Sequence, residues 1–389
     1  MNSALMANYG HPQLEFARGS GCFLYTAADE AYLDFTMGIA VNCLGHCHPY
    51  LVECLKAQAD TLWHTSNLFR IIPTEKLAAR LVELTFADRV FFSNSGTEAV
   101  EAGFKMMRRY HYDRGDKARV RIVSLTQSFH GRTMAPIAAS LNPVHCEGFL
   151  VGDAGFDQVP FGDIEALKQQ LNEQTAGVIL EPIQGEGGIR VVPEDYLQQV
   201  RALCDQHGIL LMFDEVQCGV GRSGQLYAYQ ALGITPDLLA SAKGLGGGFP
   251  IGAVLATERV AAPMVAGTHG STFGGNPLAT AVANGVLDVI TAPGFLEQSR
   301  TNAAELRSGL ARIIQDYPAI VQEQTGMGFM IGLKCVVNNA EFVKALLKHR
   351  MLAVKAGGNG IRLLPPLNIN KAEIEQALTI LRRVCEQWS

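Results

Sequence analysis

No block of like charges, no internal repeat and no apolar run long enough to cross a bilayer occurs anywhere in the 389-residue chain. Basic residues are scarce as well. Thirty-seven aspartates and glutamates outnumber 32 lysines and arginines, and the net charge of −5 leaves no basic footprint for nucleic acid. The opening Met1-Asn2-Ser3-Ala4-Leu5 has no basic segment leading into a long apolar stretch, which argues against a secretory signal and for the cytoplasm. Nine cysteines follow no regular disulfide spacing. Several, such as Cys204 and Cys385, sit inside apolar or helical patterns and read as reduced core thiols in a reducing compartment. Cys43, His46, Cys47 and His48 lack a paired C-x-x-C and a second ligand cluster, so a turn with satisfied histidines is expected there rather than zinc, and no metal is expected elsewhere.

What is present supports an enzyme-sized globule. With 48% hydrophobic residues, the chain can bury one large core and a smaller lobe. Arg89-Val90-Phe91-Phe92, Arg121–Leu125, Gly177-Val178-Ile179-Leu180 and Ile209-Leu210-Leu211-Met212-Phe213 read as strands. Helices are expected from Thr74 to Thr85, from Glu98 to about Tyr112, and from Glu194 to His207, the last opened by Pro193 and stopped by Gly208. Strand, helix and strand at this spacing make a βαβ unit, hence an α/β fold with a mainly parallel sheet flanked by helices. After about Asn276 the pattern changes: a helix from Pro277 to Ile290 leads into a smaller α+β lobe.

Chemistry concentrates at strand ends. Asp214 closes one apolar run, and Lys243 follows another, ahead of Gly244-Leu245-Gly246-Gly247-Gly248. A lysine in such partly desolvated surroundings suits a Schiff-base amine, and a carboxylate one strand earlier could hold a pyridine nitrogen protonated; a structural ion pair is the plainer alternative. Ser95-Gly96-Thr97, between a strand and a helix, offers amides and hydroxyls to a phosphate, or merely an N-cap. Phe129 beside Arg132 could stack a ring and hold a carboxylate, or be a core aromatic with a surface cation. Gly219-Val220-Gly221-Arg222-Ser223-Gly224 matches G-x-G-x-x-G, and Asp237 follows it; a nicotinamide oxidoreductase is therefore the rival reading. Against it, Asp214-Glu215 would set a carboxylate pair against a pyrophosphate.

Taken in order, Ser95-Gly96-Thr97-Glu98-Ala99, Phe129-His130-Gly131-Arg132-Thr133, Glu181-Pro182-Ile183-Gln184-Gly185-Glu186-Gly187-Gly188, Asp214-Glu215-Val216-Gln217, Lys243 and His269-Gly270-Ser271-Thr272-Phe273-Gly274-Gly275-Asn276-Pro277 resemble the class III pyridoxal-phosphate aminotransferases. The resemblance runs from about Leu14 to the C-terminus and is strongest to the acetylornithine aminotransferases. It implies a fold-type-I transferase with a large pyridoxal 5'-phosphate domain at 51–276 and a small domain of 1–50 with 277–389. Lys243 would form the Schiff base and carry the proton. Asp214 would face the pyridine nitrogen, with Glu215 beside it in the same cofactor-binding run. Val216 and Phe129 would cover the two ring faces, and Gln217 would reach the phenolic oxygen. Ser95, Gly96 and Thr97 would bind the phosphate, with Thr272 from a neighbouring subunit, so a homodimer with shared sites is implied. Arg132, Arg362, Glu186 and Ser271 would bind the amino-acid and 2-oxo-acid substrates, Glu186 acting as a switch that neutralises an arginine until a second carboxylate arrives.

The same resemblance bears on the substrate. Ornithine aminotransferases of this class carry a tyrosine where this chain has Ile39. Without that hydroxyl a free, charged α-amine would be buried unpaired, so an acylated amine is expected. The expected reaction passes the δ-amino group of N-acetylornithine to 2-oxoglutarate. Succinylornithine, ornithine and N-succinyl-diaminopimelate stand as alternatives.

Overall fold

Seven strands form the central sheet in the spatial order Arg89–Ser93, Gly252–Ala256, Leu238–Ser241, Leu210–Asp214, Thr175–Leu180, Arg121–Leu125, Phe156–Val159. The chain is seen here as a computed structural model that describes residues 4–9, 14–149 and 152–388, so Met1 to Ser3 of the opening segment lie outside it. Gly252–Ala256 runs antiparallel to both neighbours, and the other strands run parallel. Every residue of Thr175–Leu180 and Leu210–Asp214 is buried, as befits strands covered on both faces. The mainly parallel sheet agrees with the sequence reading. The antiparallel strand was not foreseen, because five apolar residues after a glycine-rich loop carry no periodicity.

Helices cover the sheet. Gly96–Asp113 buries Val100, Phe104 and Met107 against it and begins earlier than expected, because Ser95 caps it by accepting from the Glu98 amide. Glu194–His207 matches the expectation. Pro193 precedes it, Glu194 and Asp195 complement its dipole, and Gly208 ends it in the left-handed region at φ 62°.

The ends of the chain meet in smaller sheets. Arg18–Ser20, Phe23–Tyr25 and Ala31–Asp34 share a sheet with Met351–Leu352. A second sheet holds Val321–Met327, Met330–Cys335, Gly360–Leu363 and Val354–Ala356, all antiparallel. The 22-residue helix Phe295–Asp316 was not read from the sequence. Its buried stripe includes Ser299 and Asn302, and polar residues there mask the apolar period. No single helix among the described residues is long and apolar enough to cross a membrane.

Candidate active site

Parallel strands end on one edge of a sheet, which is where α/β folds gather their ligands. Here the register sets Asp214 beside Ala240 on the adjacent strand, so Lys243 emerges just past its neighbour's end. Ser95-Gly96-Thr97 follows the strand ending at Ser93, Phe129 to Arg132 follow Leu125, and Glu181 follows Leu180. These segments line a cavity of about 390 Å³ with Val216 and Gln217. Lys243 sits at φ 45°, a conformation that costs a side-chain-bearing residue energy and recurs at functional sites.

His130 and Glu181 lie in the quoted motifs, but the sequence reading gave them no role. His130 is buried, and its Nδ1–H donates to Asp214 Oδ2 at 2.8 Å. That contact fixes the carboxylate's orientation while its Oδ1 accepts from the Val216 amide at 3.1 Å. Glu181 accepts from the amides of Phe129 (2.9 Å) and Gly185 (3.0 Å), and burial pushes its carboxyl up to about 7. A buried histidine just after a strand is an ambiguous signal until its partner is known. The Lys243 amine is pulled below its usual value, first by burial and then by the Arg362 guanidinium, against Asp214, Glu181 and Glu186.

A wider cleft of about 810 Å³ adjoins this cavity. Arg362, 2% exposed, donates through Nη1 to Glu186 Oε1 at 2.9 Å and to Gln217 Oε1 at 3.3 Å. Arg132 lies across the cleft with its guanidinium 5.3 Å from the centre of the Phe129 ring. Ile39 lines the same cleft within a left-handed run from Met37 to Ala40, a strained backbone for a β-branched residue.

Three expected site residues stand apart. Glu215 turns away: it accepts from the Ala228 and Tyr229 amides, and burial pushes its carboxyl up to about 7. Ser271 and Thr272 line a separate hollow with Asn94 and Glu98. There the Ser271 hydroxyl accepts from Asn94 Nδ2 (3.2 Å) and the Gly274 amide (2.9 Å). The residues of the rival glycine fingerprint are buried, with Arg222 donating to the carbonyls of Phe329 and Pro365. Among the tempting cysteines and histidines, His46 Nε2 bonds Asp34 Oδ2 at 2.8 Å, and the Cys43 thiol donates to the Gly244 carbonyl.

The cavity suits pyridoxal phosphate. An oriented carboxylate, a lysine of lowered pKa and the N-terminus of a long helix converge on it. A Cβ at Gly96 would come within 2.7 Å of Val216, so only glycine leaves that floor in place beside the helix start. The model of the family described as "Aminotransferase class-III" matches residues 5–385. The acetylornithine aminotransferase of Brucella melitensis biotype 1 is 52% identical, over 99% of this chain and 96% of its own length. The solved N-acetylornithine aminotransferase of Stenotrophomonas maltophilia superposes with a TM-score of 0.86 at 35% identity, covering 98% of each chain. The ornithine aminotransferase of Toxoplasma gondii reaches a TM-score of 0.94 at 29% identity, over 99% of this chain and 93% of that one.

Proposed function

The chain belongs to the class-III aminotransferases, and we propose that it moves the δ-amino group of N2-acetyl-L-ornithine to 2-oxoglutarate, yielding N-acetyl-L-glutamate 5-semialdehyde and L-glutamate, as in arginine biosynthesis. It is a pyridoxal-phosphate-dependent transaminase. When bound, the cofactor supplies an electron sink for the carbon that bears the amine. Lys243 would carry the proton at that carbon, burial favouring its uncharged amine. Asp214, oriented by His130, would hold the pyridine nitrogen protonated, and Val216 and Phe129 in the same cavity would hold the ring. Ser95, Gly96 and Thr97 would hold the phosphate. Glu215 braces this edge from behind by capping the helix at Ala228.

The observation that carries the assignment is the Arg362–Glu186 pair. A buried arginine is neutralised by a glutamate whose side chain is 42% exposed and can therefore swing out. One pocket can then take N-acetylornithine with Glu186 in place and a second carboxylate with Glu186 displaced, while Arg132 holds the other substrate carboxylate. Ile39 at the cleft offers no partner to a free ammonium, which favours an acylated substrate.

A homodimer completes the site in this reading. Trp63, Leu68, Phe69 and Ile72 are exposed on one segment, and Phe273, also exposed, packs on His64 of that segment with ring centroids 5.1 Å apart. Asn67 Nδ2 ties the segment around 62–72 to the carbonyls of Ser271 (2.9 Å) and Gly274 (3.2 Å). Pairing through these exposed residues would carry Thr272 and Ser271 to the partner's cavity. The same reading divides the chain into 51–276 and 1–50 with 277–389. Visible absorbance of the purified protein tests the assignment. The yellow colour should bleach with N-acetylornithine and return with 2-oxoglutarate, with succinylornithine and ornithine run in parallel to rank the donors. A protein that binds no pyridoxal phosphate would overturn it.

A further inference from the structure

The outer cleft holds three polar side chains that the reading above leaves without work. Ser128 is buried, and its hydroxyl, without a hydrogen-bond partner among the described residues, is closed off from a ligand in the cleft. Asn142 caps a short turn by accepting from the Val144 amide through Oδ1 at 3.1 Å, which leaves its Nδ2 donors uncommitted by that contact. His145 stands edge-on to Phe129, with centroids 6.0 Å apart at 86°. All three line the cleft shared by Arg132, Glu186, Arg362 and Lys243, with Gly38 and Ile39 among its apolar walls.

We propose that Asn142 and His145 form the subsite for the acylated α-nitrogen of the amino donor, reading its amide carbonyl by hydrogen bonds. This rests on the N-acylornithine assignment and names the residues that make the site prefer an amide to an ammonium. An amide presents a carbonyl acceptor, which Asn142 Nδ2 and the imidazole N–H can serve. Burial and the nearby Arg132 guanidinium hold His145 below its usual pKa, so near neutrality it is an uncharged ring that can donate without carrying a charge. A free ammonium carries no acceptor for these donors and would place its charge beside the Arg132 guanidinium. Ile39 gives the acetyl methyl an apolar wall. A site built to bond a polar group discriminates because its buried partners are left unpaired by the wrong ligand.

The test is the ratio of kcat/KM for N-acetylornithine to that for ornithine, measured on the cofactor-loaded enzyme. Taking the ratio within one preparation cancels losses of folded protein or bound cofactor. His145→Phe keeps the aromatic contact with Phe129 and removes the donor; it should lower the ratio about tenfold. His145→Gln should recover part of it, and Asn142→Ala should lower it in a background where His145 is intact. A ratio unmoved by both His145→Phe and Asn142→Ala overturns the subsite while leaving the assignment standing. A wild-type enzyme that turns over ornithine but not N-acetylornithine overturns the assignment itself, and the subsite with it.

Discussion

Replacing Glu186 with alanine should separate the two half-reactions. Arg362 is almost wholly buried, and Glu186 is its carboxylate partner at 2.9 Å. Gln217 offers a longer bond at 3.3 Å, and Arg362 Nε has no partner among the described residues. Breaking a fully buried pair by removing one member costs about 3–5 kcal/mol. An exposed pair is worth about 0–1 kcal/mol. With one side buried and the other half open to solvent, we take about 1.5–2 kcal/mol, or roughly 10–30-fold. In the wild type a dicarboxylate must displace Glu186 before it can use Arg362. Glu186→Ala removes that step, so the KM for 2-oxoglutarate should fall by about 10–30-fold. N-acetylornithine should suffer the opposite fate. Its single carboxylate can now settle on the freed Arg362, which brings the acylated α-nitrogen rather than the δ-amine to Lys243. Single-turnover absorbance on each half-reaction reads both effects separately. An unchanged or raised KM for 2-oxoglutarate, with N-acetylornithine unaffected, would refute the switch.

Four further outcomes follow from the same geometry. Lys243→Ala should keep its fold by circular dichroism yet lose transamination by about a thousandfold, within the range for a proton-transfer group; substantial residual turnover would move the proton carrier elsewhere. Gly96→Ala puts a methyl 2.7 Å from Val216 Cγ1 and should weaken pyridoxal phosphate binding about tenfold in a titration, because a β-branched neighbour yields poorly; unchanged affinity would refute the tight floor. Burial lifts the Glu215 carboxyl from its ordinary 4.5 to about 7, so the folded chain keeps a proton that the unfolded chain releases. That stabilisation is fully present below about pH 4.5 and fades as pH rises towards 7, at about 1.4 kcal/mol per pH unit. Glu215→Gln should therefore flatten the fall in stability between pH 5 and pH 7 in denaturant titrations, leaving the similar contribution of Glu181; an unaltered slope would contradict the burial argument. Phe69→Lys on the exposed apolar segment should shift sedimentation towards a monomer with reduced activity; a fully active monomer would remove the shared site.

The sequence by itself determined the elements that have local causes. Pro193, the acidic first turn and Gly208 bound one helix, and the continuous apolar runs ending at Leu180 and Asp214 marked buried parallel strands. Asp214 and Lys243 stood out because charged groups at the ends of buried strands are expensive without a partner, and the family resemblance pointed to Arg132 and Arg362. The helix Phe295–Asp316 and the strand Gly252–Ala256 escaped that reading, the first for buried polar positions and the second for want of any period. Tertiary structure alone decided who faces whom. His130 reaches Asp214 from another strand end, Glu215 turns from its neighbours to cap a helix, and Asn142 with His145 arrives at the cleft from a short turn. None of these is coded by spacing. The sequence states which groups must be paired, but the partner of a buried charge is chosen by strand order and register, which bring together residues far apart along the chain.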